Sequence, residues 1–78
     1  MTNLEKYNEA FSKSLLVTEE QLTTLNYQSV AGWDSVGHMS LITTLEETFD
    51  IMMDMDDIVD FSSYSKGIEI LKKYGIKF

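Results

Sequence analysis

Apolar residues recur every three or four positions in three separate stretches, and no stretch alternates them every two. That period belongs to the α-helix, which brings such positions onto one face, and not to the β-strand. Leu4, Tyr7, Phe11 and Leu15 step by 3, 4 and 4. Thr2 or Asn3 is placed to cap their helix and Glu5 lies near its positive end, so a helix is predicted from about Asn3 to Ser14. Val36, Met39, Ile42, Leu45 and Phe49, with Leu41 beside them, form a second stripe and predict a helix from Ser35 to Thr48. Gly37, Ser40, Thr43, Thr44, Glu47 and Thr48 fall on its other side. Tyr64, Ile68, Leu71 and Tyr74 form the third stripe, after Ser62 or Ser63 as cap and before Gly75 as a left-handed stop. Lys72 and Lys73 complement the negative end of that helix. Gly67 inside it costs about 1 kcal/mol relative to alanine and reads as a place where a neighbouring helix passes close.

Two shorter elements fill the gaps. Asp54 can cap a short helix with Asp56 and Asp57 in its first turn and Ile58 and Phe61 facing inward. Leu16 to Trp33 is a long connection, but Thr18-Glu19-Glu20-Gln21 matches a capping box and predicts a helical turn from Glu19 to about Thr24. Leu22, Leu25, Tyr27 and Val30 can pin the rest to the core. The expected architecture is all-α: a small four-helix bundle of three longer helices and one short third helix, with a long loop between the first two.

Seventy-eight residues make a single domain, residues 1–78, which buries only about 60–65% of the surface exposed by its unfolded chain. With no cysteine, neither a disulfide nor a thiolate metal site is available. No apolar run reaches the roughly 18 residues of a membrane span and no basic-then-apolar leader is visible, so a cytoplasmic, monomeric protein is expected. The net charge is −7, the wrong sign for neutralising nucleic-acid phosphates. Between Asp34 and Asp60 there are eight acidic residues and no lysine or arginine. Such a field attracts basic partner surfaces.

Resident catalysis finds little support. Ser35 and His38 stand one helical turn apart, but no nucleophile elbow surrounds the serine, and an orienting carboxylate and oxyanion hole would also be needed. No enzymatic activity is expected. Asp50, Asp54, Asp56, Asp57 and Asp60 are dense in carboxylate but lack the alternation, glycine and distal glutamate of a calcium loop, so no dedicated metal site is expected either. What remains is a hydroxyl, that of Ser35, at the start of a helix, where free backbone N–H groups and the helix dipole welcome an attached phosphate.

Asp34-Ser35-Val36, followed by the amphipathic stretch and then by Leu45-Glu46-Glu47-Thr48-Phe49, resembles the acyl carrier proteins, and the Gly-Trp-Asp-Ser-x-x-His-Met form from Gly32 to Met39 resembles their stand-alone members. Their second helix opens on Asp-Ser-Leu and carries Leu-Glu-Glu-x-Phe near its end, and the resemblance spans nearly the whole chain. It implies that a phosphopantetheinyl transferase moves 4′-phosphopantetheine from coenzyme A onto Ser35. It implies a carrier that is not itself an enzyme, holding acyl groups as thioesters for fatty acid, polyketide or related specialised biosynthesis. An acyl-loading ligase or transferase and downstream acyl-processing enzymes are the implied partners. Met39, Glu46 and Glu47, with Asp56 more weakly, match partner-contact positions. Asp34 matches the aspartate before the serine, and a helix cap and a partner contact are both open to it. Met39, Ile42, Leu45, Met53, Ile58, Phe61 and Ile68 are candidates to line an acyl pocket, and packing is their default role. His38 is expected at the pocket mouth as a bystander. Gly37 and Ser40 stand where acidic residues are common in the fatty-acid type, and Val36 stands for leucine. Two alternatives stay open: an aminoacyl or peptidyl carrier, whose usual Gly-Gly before the serine motif is absent here, and an unmodified acidic interaction module.

Overall fold

The computed structural model describes residues 1–78 and contains five helices: α1 (Asn3–Leu15), α2 (Glu19–Leu22), α3 (Ser35–Phe49), α4 (Met55–Asp60) and α5 (Tyr64–Lys73). Their ends are set by local chemistry. Thr2 Oγ1 accepts from the Glu5 amide at 3.1 Å while Glu5 Oε1 accepts from the Thr2 amide at 2.9 Å, closing a reciprocal cap on α1. Gln21 accepts from the Thr18 amide at 3.0 Å at the start of α2. Asp34 Oδ1 accepts from the Gly37 amide at 2.9 Å to start α3, and Ser63 Oγ from the Lys66 amide at 3.0 Å to start α5. Asp54 precedes α4, but its side chain makes no cap bond; its backbone N–H donates instead to the Tyr74 hydroxyl at 2.9 Å. Leu16 and Asp50 close α1 and α3 with left-handed backbone, and Gly75 takes φ +86° after α5.

The core is aromatic at its centre. Phe11 packs edge-on against Tyr7, Trp33 and Tyr64 at ring-centroid distances of 4.9, 5.5 and 5.4 Å, and Phe61 lies 6.0 Å away. Leu15, Leu22, Leu25, Leu41, Ile42, Leu45, Ile70 and Leu71 surround this group. The Tyr7 hydroxyl is buried and donates to the Tyr64 carbonyl at 2.6 Å, which ties α1 to the first turn of α5. The long connection is anchored from the far side of the fold. Tyr27 donates its amide to the Ser62 carbonyl at 2.8 Å and Tyr64 donates to the Leu25 carbonyl at 3.0 Å. That isolated antiparallel bridge between Asn26 and Ser63 is the one strand-like pairing.

Most of the expected apolar positions on α1 and α3 face inward, and the exceptions lie toward the starts of the two helices. Val36 is 79% exposed and Met39 51% exposed, whereas Gly37 is buried with Leu41, Ile42 and Leu45. The cause is a backbone approach. A Cβ on Gly37 would lie 1.9 Å from the Gly32 carbonyl oxygen, and a Cβ on Gly32 would lie 2.3 Å from the Leu15 carbonyl oxygen. Two glycines therefore let the end of α1, the loop and the first turn of α3 stack without side chains between them. The face of α3 carrying Gly37 turns inward, and Val36 is turned out. On α1, Leu4 is 41% exposed while Ala10 joins the core. On α5 the buried set is Tyr64, Gly67, Ile70 and Leu71, with Ile68 half-buried against the core. A Cβ on Gly67 would lie 2.2 Å from the Tyr7 hydroxyl and 2.3 Å from the Phe61 ring, so the close neighbours there are two aromatic side chains.

Candidate functional site

Ser35 is the first residue of α3 and is exposed. Its position follows from the turn before it. Gln28 donates to the Trp33 carbonyl at 2.9 Å and Trp33 to the Val30 carbonyl at 3.1 Å, so the loop closes on itself just upstream of the helix. Trp33 is fully buried and anchors that turn in the core. The Asp34 carboxylate is engaged as the helix cap, so the cap role open to it in sequence is the one the geometry shows. Ser35 Oγ lies 3.3 Å from the Tyr27 hydroxyl.

Beside Ser35, between α3 and α4, opens a cavity of about 390 Å³. Ser35, Tyr27, His38 and Ser62 supply its polar atoms, and Met39, Met55, Ile58, Val59 and Phe61 its apolar wall. Of the candidate pocket residues, Met39, Ile58 and Phe61 line it. Ile42, Leu45 and Met53 are buried in the core instead, and Ile68 packs against that core from α5. Met55 and Val59 were missed in sequence because both lie on α4 positions that look solvent-facing, and they are 73% and 72% exposed.

His38 is held on both sides. Trp33 Nε1–H donates to His38 Nδ1 at 2.9 Å, and His38 Nε2 lies 2.8 Å from the Ile58 carbonyl. Indole nitrogen is only a donor and a carbonyl only an acceptor, so the ring carries its proton on Nε2 and donates to Ile58. The imidazole and indole planes lie within 18° of each other with ring centroids 6.2 Å apart, the edge-to-edge arrangement that the Trp33–His38 hydrogen bond requires. In this arrangement neither nitrogen has a lone pair free to take a proton from Ser35. The imidazole instead clamps the loop, α3 and α4 together around the cavity.

The acidic residues separate into different environments. Glu47 and Asp56 are exposed, while Glu46 is half-buried and accepts from the Met53 amide at 2.9 Å. Asp57 is the one buried charged side chain. Lys73 donates to its Oδ1 and the Tyr74 hydroxyl to its Oδ2, each at 2.6 Å. The hydrogen bonds from Lys73 and Tyr74 hold the Asp57 carboxyl below the usual carboxylate range, and the same contact raises Lys73. With the Asp54–Tyr74 bond, this network fastens α4 to the end of α5. Sequence spacing gave no signal for it, because its partners lie 16 and 17 residues apart. No group of three or more His, Asp or Glu side chains converges as a cation site requires, and no helix is long and apolar enough to cross a membrane.

Compared with protein-family models, with curated proteins and with solved structures, the chain matches none.

Proposed function

We propose that this chain is an acyl carrier: Ser35 bears a 4′-phosphopantetheine arm, and the arm presents acyl groups to partner enzymes. The observation that carries the reading is an exposed serine hydroxyl at a capped helix start, opening directly onto an apolar cavity. The residues suit such a group. Ser35 Oγ is accessible, the 15-residue α3 directs its N-terminus toward an attached phosphate, and the cavity beside it accepts apolar matter. When attached, the arm supplies a thiol and with it the thioester chemistry that a cysteine-free chain lacks.

The protein's own part is positional. Asp34 fixes the helix start, Trp33 and His38 hold the loop and α4 against it, and the acidic exposed surface of α3 and α4 meets basic partners. An all-helical fold of five helices, with the short α4 before the last and a long connection after the first, supports this reading. A phosphopantetheinyl transferase, an acyl-loading ligase or transferase and acyl-processing enzymes are the partners of this reading, and a monomer in the cytoplasm its form. Tethering raises the local concentration of cargo at each docked enzyme.

The test is intact mass after incubation with coenzyme A, magnesium and a broad-specificity phosphopantetheinyl transferase. The expected result is one added phosphopantetheine, absent in Ser35→Ala. An unchanged wild-type mass refutes the carrier reading and leaves the unmodified interaction module. Loading of the modified chain by amino-acid ligases and not by acyl ligases moves it to the aminoacyl class.

A further inference from the structure

Tyr27 lies eight residues before Ser35 in the chain, yet its hydroxyl is 3.3 Å from Ser35 Oγ. Three constraints put it there. Its amide is bonded to the Ser62 carbonyl at 2.8 Å. Its ring stands edge-on to His38 at 5.4 Å and to Trp33 at 6.2 Å. The following residue, Gln28, takes φ +67° and donates to the Trp33 carbonyl, closing the turn beneath Ser35. The tyrosine is thus half-buried and braced by the α4–α5 junction, with only its polar tip beside the serine. The ring packs against the core at that place. That packing does not need the hydroxyl, which has one side-chain partner, Ser35.

We infer that Tyr27 is a positioning residue for the phosphodiester on Ser35, donating its hydroxyl proton to a phosphate oxygen and pinning the root of the arm at the cavity mouth. The inference rests on the carrier reading. In the transfer, Ser35 Oγ forms a bond to the pantetheine-side phosphorus of coenzyme A. The pyrophosphate P–O bond breaks, adenosine 3′,5′-bisphosphate leaves with the electron pair, and the serine proton goes to a base of the transferase. Oγ is then an ester oxygen with no hydrogen, so the Tyr27–Ser35 contact has one possible donor, the phenol. Its new acceptor carries negative charge, and charge-assisted hydrogen bonds are about twice as strong as neutral ones. Modification therefore strengthens a contact that already exists, and the modified chain is stabilised through Tyr27.

The experiment is a thermal-unfolding cycle on four species: wild type and Tyr27→Phe, each unmodified and carrying phosphopantetheine. Phenylalanine keeps the ring packing, so the unmodified pair should melt together within about 1–2 °C. The modified wild type should melt about 2–5 °C above its unmodified form, and that increment should vanish in Y27F. A purely structural tyrosine would shift both forms equally. The ³¹P resonance of the phosphodiester gives a second readout: in Y27F it should move toward its position in the urea-unfolded chain. Equal melting increments and an unmoved ³¹P resonance in Y27F overturn this inference while leaving the carrier reading intact. A wild-type chain that accepts no phosphopantetheine overturns both.

Discussion

Gly37→Ala separates the tertiary packing around Ser35 from the intrinsic preferences of the helix, because the two predict opposite signs. In an exposed helix position, replacing glycine by alanine stabilises by about 1 kcal/mol. In this fold the new Cβ would meet the Gly32 carbonyl oxygen at 1.9 Å, and Leu15 Cδ2 at 3.3 Å. Ordinary contact begins near 3.4 Å, so α3 and the loop must part by about 1.5 Å. The obstructing atom is backbone, and behind it Gly32 rests on the Leu15 carbonyl, so no side chain can swing aside to absorb the strain. Overpacking of this kind costs about 1–3 kcal/mol, and a backbone obstacle argues for the upper end. Set against the propensity gain, the net loss is about 2 kcal/mol. For a domain of this size that lowers the melting temperature by about 10 °C, readable by circular dichroism at 222 nm. Ser40→Ala, an exposed position in the middle of α3, serves as the propensity control and should melt at or slightly above wild type. The strain falls two residues from Ser35, so the rate of phosphopantetheine transfer to G37A should fall as well. A melting temperature at or above that of wild type would refute the close approach and the placement of Ser35 that depends on it.

Three further outcomes test other parts of the structure. Charge reversal at the exposed Glu47 should slow turnover by partner enzymes, with an effect that shrinks as salt rises; Glu46 is the poorer probe because reversal also breaks its bond to the Met53 amide. Asp57 contributes stability that is fully present above the ordinary carboxylate value, about 4, and is lost as pH falls through its lowered value in the fold. Melting temperature measured down to about pH 2 should therefore fall less steeply for Asp57→Asn than for wild type, and equal slopes would remove Asp57 from the account. Tyr7→Phe deletes the buried hydroxyl bond to the Tyr64 carbonyl and should cost about 1–2 kcal/mol in urea unfolding, with the m-value unchanged.

What the amino-acid sequence decides here is local. The caps at Thr2, Asp34 and Ser63, the stop at Gly75 and the helical period all depend on residues no more than four apart, so spacing alone reveals them. The exposed serine at a helix start is legible for the same reason. The tertiary structure decides which way the helices face and what surrounds that serine. Gly37 looks like a gap on a polar face until the Gly32 carbonyl is found against it, and that approach turns Val36 and Met39 outward. The cavity, the His38 clamp to Ile58, the Asp57 network and the Tyr27 hydroxyl beside Ser35 each join segments remote along the chain or brought together by an irregular turn. Periodicity reports which face of a helix is apolar on average. At the start of α3, the backbone-to-backbone approach that glycine permits and any larger side chain forbids decides which residues are pressed inward.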